Sequence, residues 1–410
     1  MDSLTQIVLG AAVGEAVLGR KIGNRAMVWG GIAGTLPDLD VLSGLVTDPM
    51  SALAYHRAFT HSLPFALLAA PLVAAVVYRI HGGRLGGLRA TIFYPLAALA
   101  FWALLTVGSY LMPLEVYRIP LIALVITLVF AGMCGLAGGW FMRRRAGRVR
   151  IPVNAGYAQW TLLFFLAIVT HPLLDCFTAY GTQFFEPLSR LRIAWNTVSV
   201  VDPLYTLPFL LFLVAASRSR AGSQVRSRWN TLGLLVSSAY LLVTVVNHHR
   251  VGTILEGTLT ERHIEASGTL HSPSLGNNLL WSGTARVAGT DDYYVGQYSL
   301  LDRQARFMPF FPVTGRHDLL DPYAGDRELD ILLWFTNGYY TVVPVDSGRV
   351  QLSDLRYGLL SDDPTDPAAY LFSWTIDTTV RPVQVLRQQA GSQGDRGEML
   401  RGMWERMWGR

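Results

Sequence analysis

Charge is scarce in this sequence. Of 410 residues only 15% are Asp, Glu, Lys or Arg, against roughly 25% in ordinary soluble domains. Hydrophobic residues make up 51%, and the mean hydropathy is +0.31. That balance argues against a soluble enzyme and for an integral membrane protein. Lysine is almost missing: of 34 basic residues only Lys21 is one. No basic surface with interleaved aromatics stands out, so nucleic acid is not expected as a partner. Two cysteines, Cys134 and Cys176, cannot build a disulfide framework, and Cys134 lies within an apolar run. The start, "MDSLTQIVLG", has no basic n-region and no small-residue cleavage site, so no cleaved signal peptide is expected. Internal repeats and long low-complexity tracts are also missing.

What is present divides in two. Residues 1–249 hold 19 Arg and Lys against 9 Asp and Glu, whereas residues 250–410 hold 15 against 20. A spanning helix needs roughly 20 mostly apolar residues. Runs at 63–80, 90–112, 119–142, 157–175, 203–217 and 230–247 meet or approach that length. Two earlier runs, 4–19 and 26–36, are short and rich in Gly and Ala, as in a closely packed hairpin. The basic stretches are "RKIGNR" (20–25), Arg79 with Arg84 and Arg89, "RRRAGRVR" (143–150) and "RSRAGSQVRSR" (218–228). If each run crosses the membrane, all four fall on one side, which the positive-inside rule makes cytoplasmic. "PDLD" (37–40), the histidine stretch after it, "MPLEVYR" (112–118), residues 171–202 and everything after 248 then face the other side.

Beyond residue 250 the pattern changes. "TILEGTLTE", "HIEASGTLHS", "LLWSGTARVA", "DYYVGQYSL", "LLWFTNGYYTVVPV", "RVQLSDLRYG" and "AYLFSWTI" are short stretches punctuated by Gly, Asn, Asp and Pro. They predict an antiparallel sheet domain. At the end, "EMLRGMWERMWGR" spaces Met399, Met403, Met407, Trp404 and Trp408 at helical intervals. That fits either an interfacial amphipathic helix or one packed on the sheet domain. The expected fold is an α-helical polytopic membrane bundle of six to eight membrane helices, the first two short, followed by a β-rich soluble domain. The expected divisions are 1–249 for the bundle, 250–390 for the β-rich part and 391–410 for a terminal helix or tail.

Four polar constellations interrupt the apolar region. "GTLPDLDVL" carries Asp38 and Asp40, as turn acids, a helix cap or site residues. "YHRAFTHSLPF" (55–65) carries His56, Arg57, Thr60, His61 and Ser62. On one ideal helix His56 and His61 would point about 140° apart. They can share an ion only if a helix starts between them or the segment is irregular; otherwise they serve two neighbouring ions. Arg57 suits an anion, and Ser62 or Thr60 suits the cap of the helix that follows. "THPLLDCFTAYGT" puts His171 and Asp175 at i and i+4, on one helix face. Imidazole with carboxylate suits zinc or another divalent transition metal, and an Asp at bilayer depth usually has a partner and a purpose. Cys176 next door reads as packing. In "IAWNTVSVVDPLYT", Asp202 precedes Pro203, as a helix opening or as a site residue. Glu15 is open between pairing with Arg57, capping a neighbour and approaching the site. His81 reads as part of a basic loop, His248 and His249 as interfacial, and His263, His271 and His317 as scattered in the sheet domain.

Taken together, "MDSLTQIVLGAAVGEA", "PDLD", "HRAFTHS", "HPLLDCFTAYGT" and "VDPLYT" resemble the inner-membrane-associated metal-dependent hydrolases, the LexA-binding, YdjM-like family, over roughly residues 1–215. The resemblance implies a helical membrane core with metal-dependent hydrolase activity, and its motif positions here are Asp38, Asp40, His56, His61, His171, Asp175 and Asp202. Many relatives read "LTH" near the start, where this chain has Gln6. The expected function is hydrolysis at the edge of a bacterial inner membrane, in a multi-pass protein whose site and C-terminal domain are extracytoplasmic. One or two divalent ions, zinc by preference, are expected on His56, His61, His171, Asp175 and Asp40. Asp38, Asp202 and Arg57 would serve catalysis, with membrane lipids as surroundings and a lipid or lipid-linked ester, phosphoester or amide as substrate. A transporter or ion-binding protein using the same cluster is the alternative, and a non-enzymatic envelope scaffold the third.

Overall fold

The first helix exists because Asp2 caps it. Its carboxylate accepts from Thr5 N, and the run Ser3–Ile22 (α1) follows, closed at Gly23. α2 (Asn24–Gly34) folds straight back. The two helices touch backbone to backbone. A Cβ placed on Gly10 would lie 2.4 Å from the Gly30 carbonyl oxygen, and one on Gly30 would lie 2.2 Å from that of Gly10; Gly14 and Gly34 are equally confined. Gly10 with Gly14, and Gly30 with Gly34, are small residues four apart, the spacing that lets helix backbones approach in a membrane. The short Gly- and Ala-rich runs therefore form a hairpin closer than any side chain would allow.

The structure is a computed structural model. It describes residues 1–45, 47–82, 88–111, 128–129, 131–133, 135–140, 153–360, 363–364, 366, 369–388 and 396–409. After α2 come a 3₁₀ segment (Pro37–Leu45), α3 (Pro49–Tyr55), α4 (Leu63–Gly82), α5 (Leu88–Leu111), α6 (Tyr157–Asp175), α7 (Pro203–Arg218) and α8 (Gln224–Glu261). Most of the expected span 119–142, the segments 112–118 and 143–150, and Cys134 lie outside the described residues. Among the described residues three helices are long and apolar enough to cross a membrane: Leu63–His81, Tyr157–Asp175 and Gln224–Glu261. Ile92–Leu105 and Pro203–Arg218 are apolar but shorter.

The chain divides into two units, Met1–Ala194 with Leu204–Tyr240, and Trp195–Pro203 with Leu241–Arg410. In the first, α4 presents Ala66, Ala69, Ala70 and Ala74, all fully buried, in a core with Trp160, Leu163, Phe164 and Ala167 of α6. This alanine stripe again trades side-chain bulk for close approach. His81 does not sit in a loop. It ends α4, accepts from Trp29 Nε1 at 3.0 Å and stacks on Trp160.

In the second unit two four-stranded antiparallel meanders follow in order. The first is β1 (Ala266–Pro273), β2 (Leu280–Val287), β3 (Tyr293–Ser299) and β4 (Phe310–Val313). After α9 (Arg327–Thr336), the second is β5 (Tyr340–Asp346), β6 (Arg349–Asp354), β7 (Ser373–Asp377) and β8 (Gln384–Gln388). Two expected strands are helical instead. "TILEGTLTE" is the end of α8, where Val251, Leu255 and Leu259 form a four-residue stripe packed with Trp281, Tyr298 and Phe307. The first half of "LLWFTNGYY" closes α9, which ends at the left-handed Asn337. Short β-prone stretches read as strands, and tertiary burial decided otherwise. α10 (Arg396–Met407) lies on the first sheet: Arg406 pairs with Asp302 at 2.7 Å and Ser299 Oγ donates to Met407 O.

Gly30→Ala would push a methyl group into the α1 backbone, and overpacking of this kind costs roughly 1–3 kcal/mol. Gly257→Ala in α8 meets open space and should be neutral or stabilising by up to roughly 1 kcal/mol. Thermal unfolding of both variants in detergent checks the pair, and equal melting temperatures would contradict the close approach.

Candidate metal centre

Two histidine rings face each other where three segments meet. α6 ends at Asp175, so His171 and Asp175 share its last turn. The 3₁₀ segment after α2 brings Asp38 and Asp40. The stretch between α3 and α4 brings His56, Arg57 and His61. That stretch is irregular, as sharing would require. Asp48 caps α3 through Met50 N and Ser51 N, α3 stops at Tyr55, His56 is extended, and Arg57 turns left-handed at φ 59°. A 3₁₀ turn (Phe59–His61) follows, and Ser62 Oγ accepts from Phe65 N as α4 begins. The segment is tied to the loop after α6, since Gln183 N donates to Arg57 O at 2.9 Å and Leu63 N donates to Phe184 O at 2.9 Å.

The resulting geometry is close. His61 Nε2 and His171 Nε2 are 3.1 Å apart. Asp38 Oδ1 lies 3.7 Å from the first and 3.4 Å from the second. Asp175 Oδ2 lies 3.5 and 3.4 Å from the same two nitrogens. Both histidines and Asp175 are buried, while the Asp38 side chain is 26% exposed. Solvent therefore reaches the group on the Asp38 side.

The far nitrogens fix what these near ones are. His171 Nδ1 donates to the Gly34 carbonyl at 2.6 Å. His61 Nδ1 faces Asp40 Oδ2 at 3.2 Å. His61 Nδ1 also meets the Thr60 hydroxyl at 3.2 Å; a carbonyl and a carboxylate only accept, so these partners favour hydrogen on both Nδ1 atoms, and a neutral ring in that tautomer turns its Nε2 lone pair inward. Two lone pairs and two carboxylate oxygens then point at one another, and Asp175 Oδ2 has no hydrogen-bond donor. Such a group could hold a metal ion at its centre. Donor atoms roughly 2.0–2.1 Å from a tetrahedral ion lie roughly 3.3–3.4 Å apart; the three separations among His61, His171 and Asp38 run from 3.1 to 3.7 Å. Two imidazoles with a carboxylate suit a divalent cation, and Asp38, His61 and His171 together can hold one.

Around this group the other expected residues take separate places. Asp40 stands behind it: Oδ2 accepts from Arg57 N at 2.7 Å and orients His61, while Oδ1 meets His56 Nδ1 at 3.2 Å. Burial opposes ionisation of Asp40, yet His61 and His56 hold its carboxyl well below the usual range. His56, with its side chain 30% exposed, faces Asp40 and Tyr180 and is not one of the four donors. Arg57 is buried, with Nε 3.4 Å from Asp175 Oδ2, Nη1 donating to Thr178 Oγ1 at 2.8 Å, and its guanidinium over the Tyr180 ring. Asp202 is fully buried just before α7, in the stretch grouped with the second unit. Cys176 is a buried free thiol. Glu15 pairs with Arg226, not Arg57.

Gln6 reaches the site, but by its amide nitrogen: Nε2 donates to Asp175 Oδ1 at 3.0 Å and to His171 O at 3.3 Å. The Met1 amino group also meets Asp175 Oδ1. Sequence reasoning missed the Gly34 carbonyl, which no side-chain motif marks, and gave no role to Thr178 and Tyr180, although both lie inside "HPLLDCFTAYGT".

These residues can be set beside known proteins. The model of the YdjM inner membrane protein family matches residues 1–114 and 124–251, which includes every residue of the group. The chain belongs to the YdjM family. Among curated proteins it is similar to the uncharacterized protein YfhP of Bacillus subtilis (strain 168), at 24% identity over 283 residues, 67% of this chain and 62% of YfhP. The chain thus spans about three fifths of that relative's length. No solved structure matches. Membership of an inner membrane family agrees with the apolar helices and makes this a membrane protein of the YdjM type.

Partners that orient a metal-ligating histidine typically contribute 10–100-fold in affinity. Asp40→Asn should therefore weaken divalent-metal binding by roughly that factor while leaving the helical content unchanged. Titration of the stripped protein with zinc, followed by calorimetry, measures it; an unchanged affinity would remove Asp40 from this role.

Proposed function

We propose that this YdjM-family protein is an integral-membrane metal-dependent hydrolase acting at the membrane edge. The observation that carries the reading is the pair of buried Nε2 atoms 3.1 Å apart, with carboxylate oxygens of Asp38 and Asp175 near both. His61, His171, Asp175 and Asp38 would hold one divalent ion, with zinc favoured because two imidazoles with carboxylates suit its borderline softness. When bound, such an ion supplies Lewis acidity and a nucleophile at neutral pH.

The chain's own residues supply the rest. Asp38, the one carboxylate of the four donors open to solvent, is placed to accept a proton and pass it out. Arg57, fixed by Thr178 and Tyr180 and beside Asp175, offers a guanidinium to negative charge developing on the substrate. Asp40 and the Gly34 carbonyl keep both rings in the ligating tautomer.

The exposed Leu42, Leu45 and Leu188 flank the same segments in sequence, which suits a lipid or lipid-linked ester, phosphoester or amide. We read the protein as a bundle of six to eight membrane helices. The basic stretches face the cytoplasm, and the group and the β-rich unit lie on the extracytoplasmic side.

Metal analysis of the purified protein beside His61→Ala and His171→Ala tests the site. Wild type should carry about one divalent ion per chain, and both variants should lose it. Arg57→Ala should keep the metal and lower turnover of a lipid phosphoester, ester or amide by roughly 10²-fold or more. Metal equally present in all samples would reject the ligand set. Metal present without turnover on any of the three classes would favour an ion carrier.

A further inference from the structure

At the opposite end of α1 from Gln6 lies a second polar feature, independent of the metal reading. Lys21 is about 22 Å along the helix from Gln6 by axial rise. There a cavity of about 540 Å³ is lined by Lys21, Asn24, Arg25, Ser217, Ser219 and Arg226 among others. Its floor is a buried ion pair. Arg226 is 2% exposed and meets both carboxylate oxygens of Glu15.

That pair organises the wall without using up its positive character. Glu15 neutralises Arg226, and Arg226 Nη1 in turn donates to Asn24 Oδ1 at 2.7 Å. Two carbonyls at the end of α7 that would repel an anion are occupied: Ser217 O accepts from Asn24 Nδ2, and Ser219 O from Arg226 Nη1. Lys21 Nζ has a neutral partner, Gln159 Oε1. Among the described residues neither Lys21 nor Arg25 meets a carboxylate. α2 starts in the same wall, at Gly23, with no side-chain cap, and its N-terminal dipole offsets in part the negative ends of α1 and α7, which finish there. The net result is two uncompensated cations and an open helix start around a cavity of headgroup size.

We propose that this cavity binds a phosphate-bearing anion, with the headgroup of an anionic phospholipid as the source the setting favours. Basic pockets between membrane helices on the cytoplasmic side take such headgroups, and "RKIGNR" is one of the stretches that charge bias assigns to that side. The bound lipid would clamp α1, α2 and α7 at the end away from the metal group.

The test uses the full-length protein in non-ionic detergent, incubated with equal phosphatidylglycerol and phosphatidylcholine, repurified, and assayed for retained lipid. Wild type should keep phosphatidylglycerol in excess. Lys21→Gln with Arg25→Gln should lose it by roughly fivefold per charge removed. Arg218→Gln with Arg220→Gln removes two neighbouring charges that do not line the cavity and should behave as wild type. Unchanged metal content and melting temperature in both double variants show that they fold. In a parallel arm, displacement by millimolar inorganic phosphate identifies the free anion as a sufficient ligand, and resistance to it identifies the lipid. Equal loss in the two double variants, or loss in neither, overturns the proposal.

Discussion

Two ring nitrogens 3.1 Å apart repel if both turn lone pairs inward, and a proton or a metal cation between them relieves the repulsion. The rest of the helical unit can be read as the means of forcing that contact. The Gly34 carbonyl takes the far nitrogen of His171, and Asp40 takes that of His61. Neither ring can then turn a hydrogen inward unless it takes on a proton. Carboxylates of Asp38 and Asp175 add negative charge to the same point. In a buried setting unpaired charge of one sign is costly; Arg57 and the Met1 amino group meet Asp175, and Asp38, His61 and His171 together could hold a metal ion.

Arg57 shows how the backbone serves this end. A bulky residue at positive φ is uncommon and costs free energy. Here the turn at φ 59° points the Arg57 amide at Asp40 and its side chain at Asp175 and Thr178. One strained residue thus holds the orienting carboxylate from one side and neighbours the ligating one from the other. α3 has already stopped at Tyr55, and the turn at Arg57 separates His56 from His61, so the two rings follow different directions and only His61 joins the donors.

Much of this was legible in the residues. The i, i+4 spacing of His171 and Asp175 put both on one face, and Pro37 with its two acids signalled a turn close to a helix end. The division of labour between Asp38 and Asp40 was not legible. Both precede apolar residues two apart, and only the path of the 3₁₀ segment decides which one faces the histidines. His56 carried the same chemical promise as His61, and the turn at Arg57 separated them. In the β-rich unit the alternation of short stretches marked sheets correctly, but the reach of α8 to Glu261 depended on a core formed with residues some 20 to 50 positions later. Local pattern does not record such a partner.

The glycine contact between α1 and α2 carries a consequence for the chemistry. His171 is steered by the carbonyl of Gly34, the same residue whose missing side chain lets α2 lie against Gln6 and Gly10. Gln6, on the other helix of that contact, steers Asp175. Helix spacing and ligand aim are therefore a single mechanical variable, and a bilayer that slid one helix past the other would detune both ligands at once, with no change in any ligating residue.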